Sequence, residues 1–233
     1  MTPPVGVGVI PFTTPVVSFG DFTTARIATL GINPSSNEFL AGGNLLPLGK
    51  KRLADNQDQS TSAVDVWFGC TAYFLTENTY WQWFQPLEDL LLGIGETYKL
   101  SNSACHLDLS PWATFPAFSE LSNEQQSNLL NHDKDFLAWQ VTEASIETIL
   151  FNGRQVFDTI SAIKEFNLEK VDEFTYTTGG RSQTSDLIAG EGPNGISILG
   201  WTLNLQRMQV TAVERNEVMD KLSIWLKNQI VSK

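Results

Sequence analysis

Cysteine, histidine and charged residues are scarce in this chain of 233 residues, and long apolar runs are missing from it. Two cysteines, Cys70 and Cys105, are too few for a disulfide framework or for a four-thiolate metal or iron–sulfur site. Apolar stretches fall short of the ~18 residues that a membrane span needs. The N-terminus has no basic region followed by an apolar one, so no secretory signal is expected and a cytoplasmic location is predicted.

Basic residues are also few, since 15 Lys and Arg stand against 26 Asp and Glu and give a formal net charge of −11. Proteins that coat nucleic acid owe their affinity to many cationic contacts with phosphates, so that class is disfavoured. A local basic rim around one pocket is still compatible with this balance. The chain does contain 42% hydrophobic residues and seven tryptophans, which is enough for one sizeable core and argues against disorder.

Short apolar segments alternate with helical ones from residue 25 to the C-terminus. Strands are predicted at 25–31, 103–110, 147–152 and 196–201, and helices at 60–75, 80–92, 154–166 and 214–231. One or two further helices are predicted within 122–145. The Gly-rich segment 172–195 is expected to form a hairpin with Arg181 near its tip. This alternation is typical of βαβ crossovers and predicts a four-stranded parallel sheet covered on both faces. Residues 1–24 are expected to form an arm packed on a single domain, 25–233.

Ligands bind open parallel sheets beyond the carboxyl ends of the strands, where four loops are expected to meet. These loops are 31–38, 106–112, 152–154 and 200–207. The run Gly31-Ile32-Asn33-Pro34-Ser35 combines a Gly that permits a tight turn with an Asn whose amide offers a donor and an acceptor. Ser35 and Glu38 have the spacing of a capping box, which predicts that a helix begins here. An ordinary helix cap is the alternative interpretation of this loop.

The run Gly31-Ile32-Asn33-Pro34 followed by Ser resembles the first motif of the uracil-DNA glycosylase superfamily, most closely in its mismatch-specific and single-strand-selective branches. Leu91 to Ser110 resembles the helix, Gly and second strand of that family, and Thr148 to Phe157 is similar to its third strand. Ile196 to Arg207 stands where the last motif belongs. The resemblance implies a three-layer αβα sandwich with a central four-stranded parallel sheet. It also implies hydrolysis of the N-glycosidic bond of a flipped-out base in DNA.

Several residues receive a role from this resemblance. Asn33 matches the residue that orients water against the sugar carbon. His106, and after it Asp108, match the position that reads the edge of a pyrimidine, although a satisfied polar pair is the alternative. Leu45 stands near the position of the stacking aromatic ring, where it can cover a base face or simply pack in the core. The rest of the first loop would line the substrate pocket, namely Gly31, Ile32, Pro34 and Ser35.

The last motif of the family would follow the fourth strand. There Trp201 takes the place of the family's His, and Leu205 falls at the position of the DNA wedge. Asn204, Gln206 and Arg207 would form a polar loop that touches sugar or phosphate. The alternative is that Trp201 packs into the core and that the segment after it is an ordinary turn. The basic residues expected at a DNA-binding rim are Lys50, Lys51, Arg52, Arg154, Arg181 and Arg207, with scattered surface charges as the alternative. His132 and the two cysteines lack the spacing of a metal site, so neither a metal nor a cofactor is expected.

Three functions are compatible with these residues. The first is a diverged glycosylase that removes a deaminated or damaged base from DNA. The second is a non-catalytic protein that binds nucleic acid or nucleotides on the same fold. The third is a hydrolase of a small nucleoside-like substrate, which a net charge of −11 tolerates better than duplex DNA. All three require that the tips of the first two strands share a cavity shaped for a planar heterocycle.

Overall fold

Strands and helices alternate along the part of the chain that the computed structural model describes, which is residues 1–57, 60–99 and 103–231. The strands are β1 Ile27–Gly31, β2 Leu40–Ala41, β3 Asn44–Leu45, β4 Ala104–Asp108, β5 Thr148–Asn152, β6 Asn167–Thr178, β7 Arg181–Glu191 and β8 Ser197–Trp201. The helices are α1 Ala63–Thr71, α2 Trp81–Gly93, α3 Asn123–His132, α4 Phe136–Glu143, α5 Arg154–Ser161 and α6 Ala212–Val231. This sequence of elements confirms an α/β architecture.

The central sheet has six strands in the order β4-β1-β5-β8-β7-β6. The four strands expected from the sequence, β4, β1, β5 and β8, are neighbours and run parallel. The hairpin of β6 and β7 was expected as a separate excursion, but β7 pairs antiparallel with β8 from Leu187 to Glu191. The expected count of four strands is therefore too small. An unpaired edge at β8 would expose a row of amide and carbonyl groups, and the hairpin satisfies them.

Helices cover both faces of this sheet, because side chains alternate between the faces along each strand. One core joins the sheet to α2 and α6 and contains Ile27, Leu150, Leu199, Leu87 and Leu222. A second core joins the opposite face to α4 and α5 and contains Ala28, Ile149, Ile198, Leu137 and Ile160. None of the helices in the described ranges is long and apolar enough to cross a membrane.

The N-terminal segment 1–24 lies on the domain and covers the outer edge of β4. The Phe19 amide donates to the His106 carbonyl at 2.8 Å, and the His106 amide donates back to Phe19 at 2.8 Å. Phe19 and Phe22 are both buried. The segment therefore protects a sheet edge, and it also brings the Phe19 ring to the carboxyl end of β4.

The loop after β1 departs from the predicted helix. A single 3-10 turn at Ser36–Glu38 follows Ser35, whose hydroxyl accepts from the Asn37 amide at 3.2 Å. The Glu38 side chain does not return to this cap but is buried, and the chain continues into the β2–β3 hairpin. The capping-box prediction is wrong because Glu38 finds its hydrogen-bond partner in Tyr73, which is distant in the sequence.

Candidate functional site

A cavity of about 240 Å³ opens at the carboxyl edge of the sheet, between the loops that follow β1, β4, β5 and β8. Ten of the residues predicted for the site line it, namely Gly31, Ile32, Asn33, Pro34, Ser35, His106, Asp108, Asn204, Gln206 and Arg207. Its apolar walls include Phe19, Trp83, Phe84 and Phe118. The parallel register places Gly31 opposite Asp108, so the tips of β1 and β4 reach one space.

His106 and Asp108 form the polar floor of the cavity, and both side chains are buried. The His106 Nδ1 atom lies 2.7 Å from the Thr29 hydroxyl, which lies 2.6 Å from the Tyr98 hydroxyl. On the other side of the ring, Nε2 is 3.6 Å from Asp108 Oδ1, which is longer than a hydrogen bond. The ring is thus held in place by β1, while Nε2 and the Asp108 carboxylate remain able to contact a ligand.

Gly31 makes this floor possible. A Cβ atom at position 31 would lie 2.3 Å from Asp108 Oδ1 and 3.0 Å from His106 Nε2. A real Cβ essentially never lies as close to another atom as the first of these distances, and the second would require His106 to shift by a few tenths of an ångström. The absence of a side chain at the end of β1 therefore leaves the space in which the two β4 side chains meet the cavity.

Asn33 lines the cavity, and its side-chain amide is held by hydrogen bonds on one side. Its Nδ2 group donates to the Trp112 carbonyl at 3.0 Å and to the Thr114 hydroxyl at 3.2 Å. Both amide hydrogens are thereby used, which settles the orientation of the side chain. The Oδ1 atom accepts no hydrogen bond from the described residues, so it is available to accept one from water or from a ligand.

Glu38 is a site residue that the sequence analysis missed. It lines the cavity with a side chain that is only 1% exposed, and the Tyr73 hydroxyl donates to its Oε2 atom at 2.6 Å. Burial raises the pKa of Glu38 from 4.5 to about 7, because a buried carboxylate loses its hydration. The bond from Tyr73 and the charge of Arg52 oppose this shift, and the charge of Asp108 adds to it. A carboxyl group with this pKa suits acid–base chemistry at neutral pH.

The raised pKa of Glu38 predicts how stability depends on pH. The folded state holds the Glu38 proton more tightly than the unfolded chain does, so this group's contribution is complete below pH 4.5 and is lost as pH rises through about 7. The loss is on the order of 3 kcal/mol. Urea unfolding at pH 5 and pH 8 should show that Glu38→Gln loses less stability over this range than the unchanged protein. Equal losses in both proteins would contradict the assignment.

Trp201, Leu45 and Leu205 do not line the cavity. Trp201 is fully buried, and its Nε1 atom donates to Asn152 Oδ1 at 2.9 Å, so it closes the core beneath the site. Leu45 packs against the core from β3, and Phe118, Trp83 and Phe84 form the walls instead. Leu205 is fully buried in the core between the sheet and α6. A wedge role would require Leu205 to leave this core.

Truncation of Leu205 therefore distinguishes a core residue from a DNA wedge. Leu205→Ala is expected to lower the free energy of unfolding by about 2–5 kcal/mol, because the removed atoms leave a buried cavity. Leu48 is 84% exposed, and Leu48→Ala serves as the matched control with no measurable loss. Urea unfolding measures both variants. A stable Leu205→Ala protein with impaired DNA binding would instead support the wedge.

Most of the basic residues predicted at the rim lie elsewhere. Lys51 pairs with Asp55 at 2.8 Å, and Arg52 donates to the backbone carbonyls of Asn37 and Asn78. Lys50 is exposed but does not line the cavity, and Arg181 lies at the tip of the β6–β7 hairpin. Arg154 pairs with Asp186 at 2.6 Å. Of the six predicted basic residues, Arg207 lines the cavity. Positive charge at the mouth is therefore small.

No protein-family model matches the chain, and no curated protein matches it significantly. Functional inference therefore depends on the fold, the cavity and the side chains in it. In the described ranges, no group of three or more His, Cys, Asp or Glu side chains is arranged to hold a metal ion.

Proposed function

We propose that this protein hydrolyses the N-glycosidic bond of a deaminated or damaged base in DNA. The observation that carries the proposal is that Asn33, from the loop after β1, and His106 and Asp108, from β4, line one cavity. Apolar rings and a few polar groups share its walls, as is usual for a site that holds a planar ring. Its volume of about 240 Å³ is below the ~300–1,000 Å³ of sites for larger ligands, which favours a single base.

The chemistry divides among the residues of the cavity. Asn33 Oδ1 accepts a hydrogen bond from a water molecule and orients it towards the sugar carbon. The ionised Glu38 takes a proton from that water as the new C–O bond forms. The C–N bond breaks, and its electron pair leaves with the base. His106 and Asp108 contact the polar edge of the base, while the aromatic walls cover its faces.

A second candidate function is hydrolysis of a free nucleoside or nucleotide. It is favoured by the position of the basic residues, since Lys51 pairs with Asp55 and Arg52 donates to the backbone carbonyls of Asn37 and Asn78. A net charge of −11 with one arginine at the mouth gives little attraction for a DNA backbone. Under this alternative the same cavity and the same Asn33 and Glu38 act on a smaller substrate.

The decisive experiment measures base release from oligonucleotides that carry uracil, hypoxanthine or an oxidised base, with abasic sites detected by alkaline strand cleavage. The unchanged protein is expected to leave abasic sites at one of these bases, and Asn33→Ala is expected to abolish them. Asn44 is exposed on β3, so Asn44→Ala is the matched control and should retain activity. Activity that survives Asn33→Ala would contradict the proposed site.

The same proteins are then given free nucleosides and nucleotides, with base release followed by chromatography. Release from these compounds without release from DNA would replace the first function by the second. Salt-sensitive binding of oligonucleotides without release from either substrate would indicate a non-catalytic binding protein, and would overturn both proposals.

A further inference from the structure

Gln206 is a cavity residue with an unused hydrogen-bond donor. It follows β8 in a 3-10 turn at Leu205–Arg207 and lines the cavity beside Asn204. Its Nε2 atom is buried and has no acceptor among the described residues. A buried donor without a partner destabilises the folded state, and such groups are uncommon in folded proteins. A buried donor without a partner, on a residue that lines the cavity, points to an acceptor on the ligand.

The orientation of the Gln206 amide follows from groups that can only donate. Trp201 Nε1 and the Leu205 amide both donate to Asn152 Oδ1, at 2.9 and 3.0 Å. Asn152 must therefore direct its Nδ2 group elsewhere, and it donates to Gln206 Oε1. With its oxygen engaged, the Gln206 side chain has only its nitrogen left for the cavity. Neither amide can be reversed without leaving a donor facing a donor.

We propose that Gln206 is a specificity-determining residue, which donates a hydrogen bond from Nε2 to a keto oxygen of the bound base. Trp201 and Asn152 are positioning residues, because their hydrogen bonds decide that Gln206 donates to the ligand and does not accept from it. The inference rests on the proposed function, because it presupposes a base in the cavity. The bound base supplies the acceptor that Nε2 lacks among the described residues.

The first test compares the binding of keto and amino bases. Uridine and cytidine, and inosine and adenosine, are titrated separately into the protein and followed by calorimetry. The unchanged protein is expected to bind the keto member of each pair about 10- to 100-fold more tightly, since the amino group would face the Nε2 donor. Gln206→Glu is expected to abolish this preference, and Gln206→Met is expected to reduce it.

The second test exchanges donor and acceptor in the hydrogen bonds that run from Asn152 through Gln206 to the ligand. In Asn152→Asp, both oxygens of the new carboxylate accept, so the Gln206 amide turns to donate Nε2 to that carboxylate and presents Oε1 to the cavity. The preference for uridine over cytidine is then expected to reverse. A residue that acts only in packing would not produce a reversal. Thermal unfolding identifies variants that fail to fold. If Gln206→Glu and Asn152→Asp both fail to fold, the reduced preference expected in Gln206→Met still tests the inference.

Two controls separate this inference from the proposed function. Gln209 is exposed in the same loop, so Gln209→Glu makes the same chemical change without an effect on preference. The side-chain amide signals of Gln206, assigned by their loss in Gln206→Met, should shift in NMR spectra when uridine is added. Keto and amino ligands that bind equally, or a preference unchanged in Gln206→Glu and Asn152→Asp, would overturn the inference and leave the proposed function standing. No binding of any nucleoside or base-containing oligonucleotide would overturn both.

Discussion

Replacement of Glu38 by Gln is expected to lower kcat/KM for base release by about 100- to 10,000-fold at pH 8, the range that a general acid–base group contributes. Gln has nearly the same shape and keeps an oxygen that accepts the hydrogen bond from Tyr73. It cannot take a proton from water. The assay is base release from the best substrate under single-turnover conditions. Exposed Glu77 provides the control, and Glu77→Gln should retain full activity.

The pH profile identifies the protonation state that acts. With Glu38 as the base, activity should rise with pH through an apparent pKa of about 7. Tyr73→Phe removes the hydrogen bond that lowers the pKa of Glu38, so the rising limb should move to higher pH. A profile that is flat between pH 6 and pH 8, or a limb that Tyr73→Phe leaves in place, would contradict the role of Glu38.

The sequence predicts the parallel part of the fold well because the information is local. A buried strand in a parallel sheet is a short apolar run, and four such runs correspond to β1, β4, β5 and β8. Strand ends in a parallel sheet meet at one edge, so the grouping of Asn33 with His106 and Asp108 also follows from order alone. The pairing of the β6–β7 hairpin with β8 depends on contacts between distant segments, and local patterns do not reveal it.

Contacts between distant segments also decide how the side chains around the cavity pack, and the sequence pattern does not predict them. Ser35 and Glu38 have the spacing of a helix cap, and only the fold shows that Tyr73 binds Glu38 instead. Leu205 has the position of a wedge in the family motif, but the packing of the last turn against the core decides its burial. The Gln206 donor becomes visible only when every partner of Asn152 is known. Sequence predicts which loops form the site, whereas packing decides which side chains act there.

A methyl group at position 31 tests the cavity itself. Gly31→Ala is expected to lower kcat/KM by about 100-fold, because the new Cβ must displace Asp108 Oδ1 and His106 Nε2 from the positions that a ligand requires. The added atom also overpacks a buried site, which costs about 1–3 kcal/mol of stability. Gly49 has open space around it, so Gly49→Ala is the matched control and should change neither property. Nucleoside binding and base release, measured on protein that unfolding assays show to be folded, distinguish a blocked site from a destabilised one. Full activity in Gly31→Ala would show that the space between β1 and β4 does not hold the substrate, because no substrate and methyl group can occupy it together.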